Sequence, residues 1–101
     1  MDAAFALLAD PGRRRIVEML RTEECSVNRL CAALPISQPG VSKHLRLLRE
    51  AGLVRVRADG QRRLYRLDPA PLEKLDRWLE PFREFWTGRL DALERHLDQE
   101  N

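Results

Sequence analysis

Between Ser37 and Leu67 the chain gathers eight cations, Lys43, Arg46, Arg49, Arg55, Arg57, Arg62, Arg63 and Arg66, against two carboxylates, Glu50 and Asp59. A local surplus of this kind attracts a polyanion. The side chains among them extend that chemistry. Gln38 suits the paired hydrogen-bonding positions on an adenine edge, Ser42 bonds a base or a phosphate, and Lys43 or Arg46 bonds guanine or phosphate. His44 either packs beside Leu45 and Leu48 or donates to phosphate, and Pro39 lies in the first turn of the same segment. Arg57, Gln61, Arg62 and Arg63 suit phosphate oxygens, which position a protein without reading sequence. Double-stranded DNA is therefore the expected partner.

The other reactive side chains are sparse. Cys25 and Cys31, six residues apart, are too few for a disulfide scaffold and read as reduced thiols. A soft metalloid needs two or three convergent sulfurs, so a thiol-based metalloid or redox sensor using Cys25 and Cys31 is the alternative reading. His44 and His96 do not supply the His-rich tetrahedral set of a zinc site, and no metal or cofactor is expected. Glu23 and Glu24 read as a solvated turn. No nucleophile stands with a base at recognisable spacing and no Gly-rich phosphate loop is present, so an enzyme is not expected.

The elements that must position these groups follow from punctuation and periodicity. Asp10 caps a helix that starts at Pro11 and runs to about Arg21, with Ile16, Val17, Met19 and Leu20 on one face. Arg13, Arg14 and Arg15 crowd its positive end and call for an anion or an acidic neighbour. Ser26 caps Val27 to about Leu34, whose stripe of Val27, Leu30, Cys31 and Leu34 makes Cys31 a core position. Ser37 caps a third helix that tolerates Pro39 in its first turn, runs to about Ala51 and stops at Gly52. Val41, Leu45 and Leu48 form its buried face and leave Gln38, Ser42, Lys43, Arg46 and Arg49 outward.

Leu53 to Arg57 and Arg62 to Leu67 alternate apolar and basic residues, and Asp59-Gly60 supplies the positive dihedrals of a tight hairpin turn. Beyond Asp68-Pro69 the spacing of Leu72, Leu75, Trp78, Leu79, Phe82, Phe85, Trp86, Leu90, Leu93 and Leu97 is helical. Pro81 predicts a kink or a break near Trp78 to Glu80. The fold class is mostly α with a small β-hairpin, in the order of a winged helix-turn-helix. A polar helix of this kind enters the major groove, and a basic ribbon lies along the backbone or reaches the minor groove.

With 101 residues, 44% hydrophobic and 34% charged, the chain suits one unit over 1–101 with a core at 10–67 and flanking helices at about 2–9 and 70–98. Residues 1–67 hold 13 Lys and Arg against 7 Asp and Glu, whereas 68–101 hold 5 against 9, so the net charge of +2 hides two ends of opposite sign. No apolar run approaches the roughly 20 residues of a membrane span and the start lacks a signal-peptide order, so a cytoplasmic protein without a membrane partner is expected. So small a core cannot enclose Trp78, Phe82, Phe85, Trp86 and the leucines between and beyond them, and a stripe of this size marks an interface with a second copy. The same aromatics are where an unidentified small-molecule inducer would sit.

Three blocks, LADPGRRRIVEML at 8–20, LPISQPGVSKHLRLLREAGLV at 34–54 and DGQRRLYRL at 59–67, resemble the ArsR/SmtB type of bacterial transcriptional regulator. The resemblance covers nearly the whole chain. It implies a homodimeric repressor on an operator of twofold symmetry, with a recognition helix at Gln38 to Ala51 and a wing at Arg55 to Arg66. It also implies a dimer interface made by the first and last helices, adding Phe5, Leu7 and Leu8 to Trp78, Leu79, Phe82, Phe85, Trp86, Leu90 and Leu93. The two recognition helices would then lie about 34 Å apart, one turn of DNA. The chain departs from the family's metal motifs. Where the arsenic-responsive pattern reads Cys-Val-Cys-Asp-Leu-Cys, residues 26–31 read SVNRLC, so Ser26 and Asn28 replace two thiolates and Cys31 alone matches. On the last helix, where the family's zinc ligands lie, His96 is the single histidine.

Overall fold

In a computed structural model that describes the backbone of residues 2–100 and the side chains of residues 4–98, five helices flank one hairpin. Their order is α1 (Asp2–Leu8), α2 (Pro11–Thr22), α3 (Val27–Ala33), α4 (Gln38–Glu50), β1 (Val54–Asp59), β2 (Arg62–Leu67) and α5 (Pro69–Glu100). Three helices open on the expected caps. Asp10, Ser26 and Ser37 accept hydrogen bonds from the backbone N–H groups of Arg13, Arg29 and Gly40 at 3.1, 3.1 and 3.2 Å, each satisfying a donor that the first turn leaves without a partner. Asp10 also faces the Arg13 guanidinium at 3.5 Å, and so supplies the acidic neighbour that the crowded α2 terminus requires.

The C-terminus of α4 closes as a Schellman motif. The N–H of Gly52 donates to the Arg49 carbonyl at 3.0 Å and that of Leu53 to the Leu48 carbonyl at 2.9 Å. Gly52 has φ +80°, the left-handed conformation that this closure needs and that glycine adopts without a Cβ penalty. Leu48 and Leu53, brought together by the motif, are both completely buried. They join Ile16, Leu20, Leu30, Val41, Leu45 and Val54 in one core under α2, α3, α4 and the base of the hairpin.

The hairpin is antiparallel, with Val54 opposite Leu67, Val56 opposite Tyr65 and Asp59 opposite Arg62. The turn is therefore Gly60-Gln61, one residue beyond the Asp59-Gly60 expectation, and of the two only Gly60 has positive φ. Glycine first and a negative φ second match a type II′ turn, whose twist suits the strands. Cys25 pairs with β2, its N–H donating to the Tyr65 carbonyl at 3.0 Å and its carbonyl accepting from the Tyr65 N–H at 2.8 Å. This bridge encloses a cysteine that helical spacing does not place. Cys25 is fully buried, while Cys31, on the inward stripe of α3, packs half-buried against the core.

The helix α5 is continuous over 32 residues with Pro81 inside it, so of the kink or break expected near Trp78 to Glu80 the break does not occur. Pro81 offers no N–H to the carbonyl four residues back, and close by, Arg83 donates to the carbonyl and carboxylate of Asp76. Leu72 packs on the core, Leu75 and Leu79 are half-buried, and every described residue from Glu80 to Asp98 is exposed. The helix carries the molecule to a length of 62 Å against 27 and 21 Å in the other directions. Among the described residues no helix is long and apolar enough to cross a membrane.

Candidate nucleic-acid interface

Burial of Val41, Leu45 and Leu48 fixes the rotation of α4. With 3.6 residues per turn, Pro39, Lys43 and Arg46 fall opposite that buried stripe, and Gln38, Ser42 and Arg49 fall along one flank. All six are exposed. Among the described residues no side-chain hydrogen bond or ion pair engages Gln38, Ser42, Lys43, Arg46 or Arg49, so the helix presents donors and cations with nothing to hold them inward.

His44 stands apart from this row. It lies on the other flank of α4, half-buried against the start of α2, where a Cβ placed on Gly12 would meet His44 Nε2 at 3.3 Å and Asp10 Oδ1 at 3.1 Å. Its Nδ1 is enclosed without a hydrogen-bond partner. The Arg13 N–H, seconded by the Arg13 charge, holds the Asp10 carboxyl below its ordinary range.

The wing is more compensated than its sequence implies. Arg57 Nε donates to Glu24 Oε2 at 2.7 Å, Arg55 Nε to Asp68 Oδ2 at 2.8 Å, and Arg62 pairs with Asp59 at 3.0 Å. Of the four expected phosphate ligands here, Arg57 and Arg62 are thus engaged, and Gln61 and Arg63 are not. Gln61, Arg62 and Arg63 line a cleft of about 340 Å³ with Ser26, Val27, Asn28 and Tyr65. Asn28 and Tyr65 were not foreseen as part of this surface. Asn28 had one visible signal, as a hydrogen-bonding amide at a position where the resembling pattern has a thiolate.

The thiols are not brought to this face. Cys25 is enclosed, and burial, then the Glu23 carboxylate, pushes its thiol above the ordinary cysteine value. Among the described residues no group of three or more His, Cys, Asp and Glu side chains could hold a metal ion. The aromatic side chains gather elsewhere. Phe5 of α1 meets Trp78 of α5 edge-on with ring centres 5.6 Å apart, and Trp78 lies 4.8 Å from Phe82. Phe85, Trp86, Leu90 and Leu93 continue the stripe and are more than half exposed, whereas Leu8 and Leu79 are half-buried.

A model of the arsR family of bacterial regulatory proteins matches residues 10–56, which run from the α2 cap to β1. An HTH-type transcriptional regulator from Mycobacterium tuberculosis is 42% identical over 98% of this chain and 90% of its own length. The chain belongs to the ArsR family. Like other ArsR-family proteins it is a DNA-binding transcriptional regulator and not an enzyme. An ArsR-like transcriptional regulator from Rhodococcus sp. RHA1 has the same fold, with a TM-score of 0.76 and 33% identity over 97% of this chain and 90% of that one. The arsenical resistance operon repressor of Escherichia coli is 48% identical over 64% of this chain and 56% of its own length. Within the ArsR fold, α3 and α4 form the helix-turn-helix and the hairpin is the wing.

Proposed function

We propose that this ArsR-family regulator is a cytoplasmic homodimeric repressor that reads a palindromic operator with α4 and holds the flanking backbone with its wing. The observation that carries this reading is the unengaged outward row on α4. Gln38, Ser42, Lys43 and Arg46 read base edges or grip adjacent phosphates, with Pro39 setting the helix entry, and Gln61 and Arg63 bind phosphate at the wing tip. The whole chain acts as one unit with its reading core at 10–67. Phe5, Leu8, Trp78, Leu79, Phe82, Phe85, Trp86, Leu90 and Leu93 pair two copies, since an exposed apolar stripe of this length is costly in water.

Selection from a random duplex library, followed by titration of the winner at two salt concentrations, tests the reading. The expected result is a twofold-symmetric motif with half-sites about one helical turn apart, bound by two protomers with steep salt dependence. Gln38→Ala or Lys43→Ala then weakens the cognate duplex by about 1 to 3 kcal/mol where the side chain reads a base. Weak binding with no enriched motif would overturn the proposal.

A further inference from the structure

Arg57 belongs to the wing, yet its carboxylate partner lies outside it. Tyr65 spends both its backbone N–H and its carbonyl on Cys25, so the Glu24-Cys25 segment runs along the edge of β2 away from β1. Arg57 stands on β1 opposite Leu64, and its side chain crosses β2 to reach Glu24 Oε2 at 2.7 Å. The contact pins the guanidinium at its Nε, and Glu24 cancels its charge at short range. The hydrogen bond to Glu24, ahead of the carboxylate charge, raises the Arg57 pKa, and a guanidinium is a permanent cation in any case. Both partners are solvated, with side chains 51% and 35% exposed. An ion pair so placed adds little to folding. Its consequence is for the surface charge that a polyanion meets.

We propose that Glu24 sets the regulator's DNA affinity by withholding Arg57 from the phosphate backbone. Arg57 is thus a phosphate ligand held in check by a carboxylate carried on the loop between α2 and α3. Removal of that carboxylate releases one more cation per protomer to displace counterions from DNA, so binding tightens and its salt dependence steepens. The inference rests on the DNA-binding reading above.

The test is a double-mutant cycle of Glu24→Gln and Arg57→Gln in the full chain, with Glu23→Gln as a charge control, because Glu23 pairs with Arg29 and not with the wing. Dissociation constants on the selected duplex are measured by fluorescence anisotropy over a salt series, and melting by circular dichroism checks that each variant is folded. Glu24→Gln is expected to tighten binding by roughly three- to tenfold at low salt and to steepen the log–log salt slope by about one per protomer. That gain disappears when Arg57 is Gln, and Glu23→Gln shifts binding by less than about twofold. An equal gain in both Arg57 backgrounds would mean a general charge effect and would overturn the proposal, as would weaker or unchanged binding by Glu24→Gln. If the unmutated protein binds no duplex in a salt-dependent way, the DNA reading itself fails, whereas binding that ignores Glu24 defeats this inference alone.

Discussion

At the scale of single residues, the two cysteines separate by environment. Cys25 is 1% exposed and its thiol is held protonated by burial, whereas Cys31 reaches the core's edge. The thiolate is the reacting species, so native Cys25 is inert. In native protein carrying Cys31→Ser, Ellman's reagent at pH 8 is expected to label Cys25 only as fast as the protein opens, and at once in guanidinium. Fast native labelling would refute the enclosed thiol. Helical periodicity foretold an inward Cys31 but not the enclosed Cys25, because the latter depends on a pairing with Tyr65, forty residues on. The same limit applies to Arg57. Alternation along the hairpin marks it as a wing cation, and nothing in the local spacing shows that Glu24 lies within its reach.

At the scale of elements, caps and closures were legible because their physics is local. Asp10, Ser26, Ser37 and Gly52 each mark a helix boundary by chemistry confined to a few neighbours. Gly52→Ala tests this directly. Open space surrounds the position, so the cost is backbone strain at φ +80°, about 1 to 2 kcal/mol in a urea melt. No loss of stability would mean that the left-handed closure is not needed. Two caps are also titratable. The Asp68 carboxyl accepts from the Ala70 N–H at 3.1 Å, and that bond, then Arg55, lowers its pKa as the Arg13 N–H lowers that of Asp10. A folded-state pKa below the ordinary 3.8 gives stability that is complete above that value and lost as pH falls through the lowered one. Denaturant midpoints taken from pH 6 down to 2 are therefore expected to drop below about pH 4, and less steeply in Asp10→Asn or Asp68→Asn.

At the scale of the whole molecule, the reading core and α5 behave as different kinds of surface. The apolar spacing of α5 foretold its stripe, and of the kink or break that Pro81 predicts the break is absent, since the loss of one N–H does not interrupt 32 residues of otherwise favourable helix. A core this small leaves Trp86 60% and Leu90 61% exposed on a helix of about 48 Å. Trp86→Asp with Leu90→Asp is expected to shift sedimentation from two protomers to one while the far-ultraviolet circular dichroism of the reading core persists. Operator affinity should fall with it, and a pair that survives both changes would place the interface elsewhere. The uncovered reach of α5 also bears on gene dosage. If a protomer must meet its double before it can grip a two-part site, then in the dilute regime occupancy follows the square of protomer concentration. Halving the supply of the regulator then cuts the repressed fraction about fourfold, a sharper response than any single-protomer reader could give.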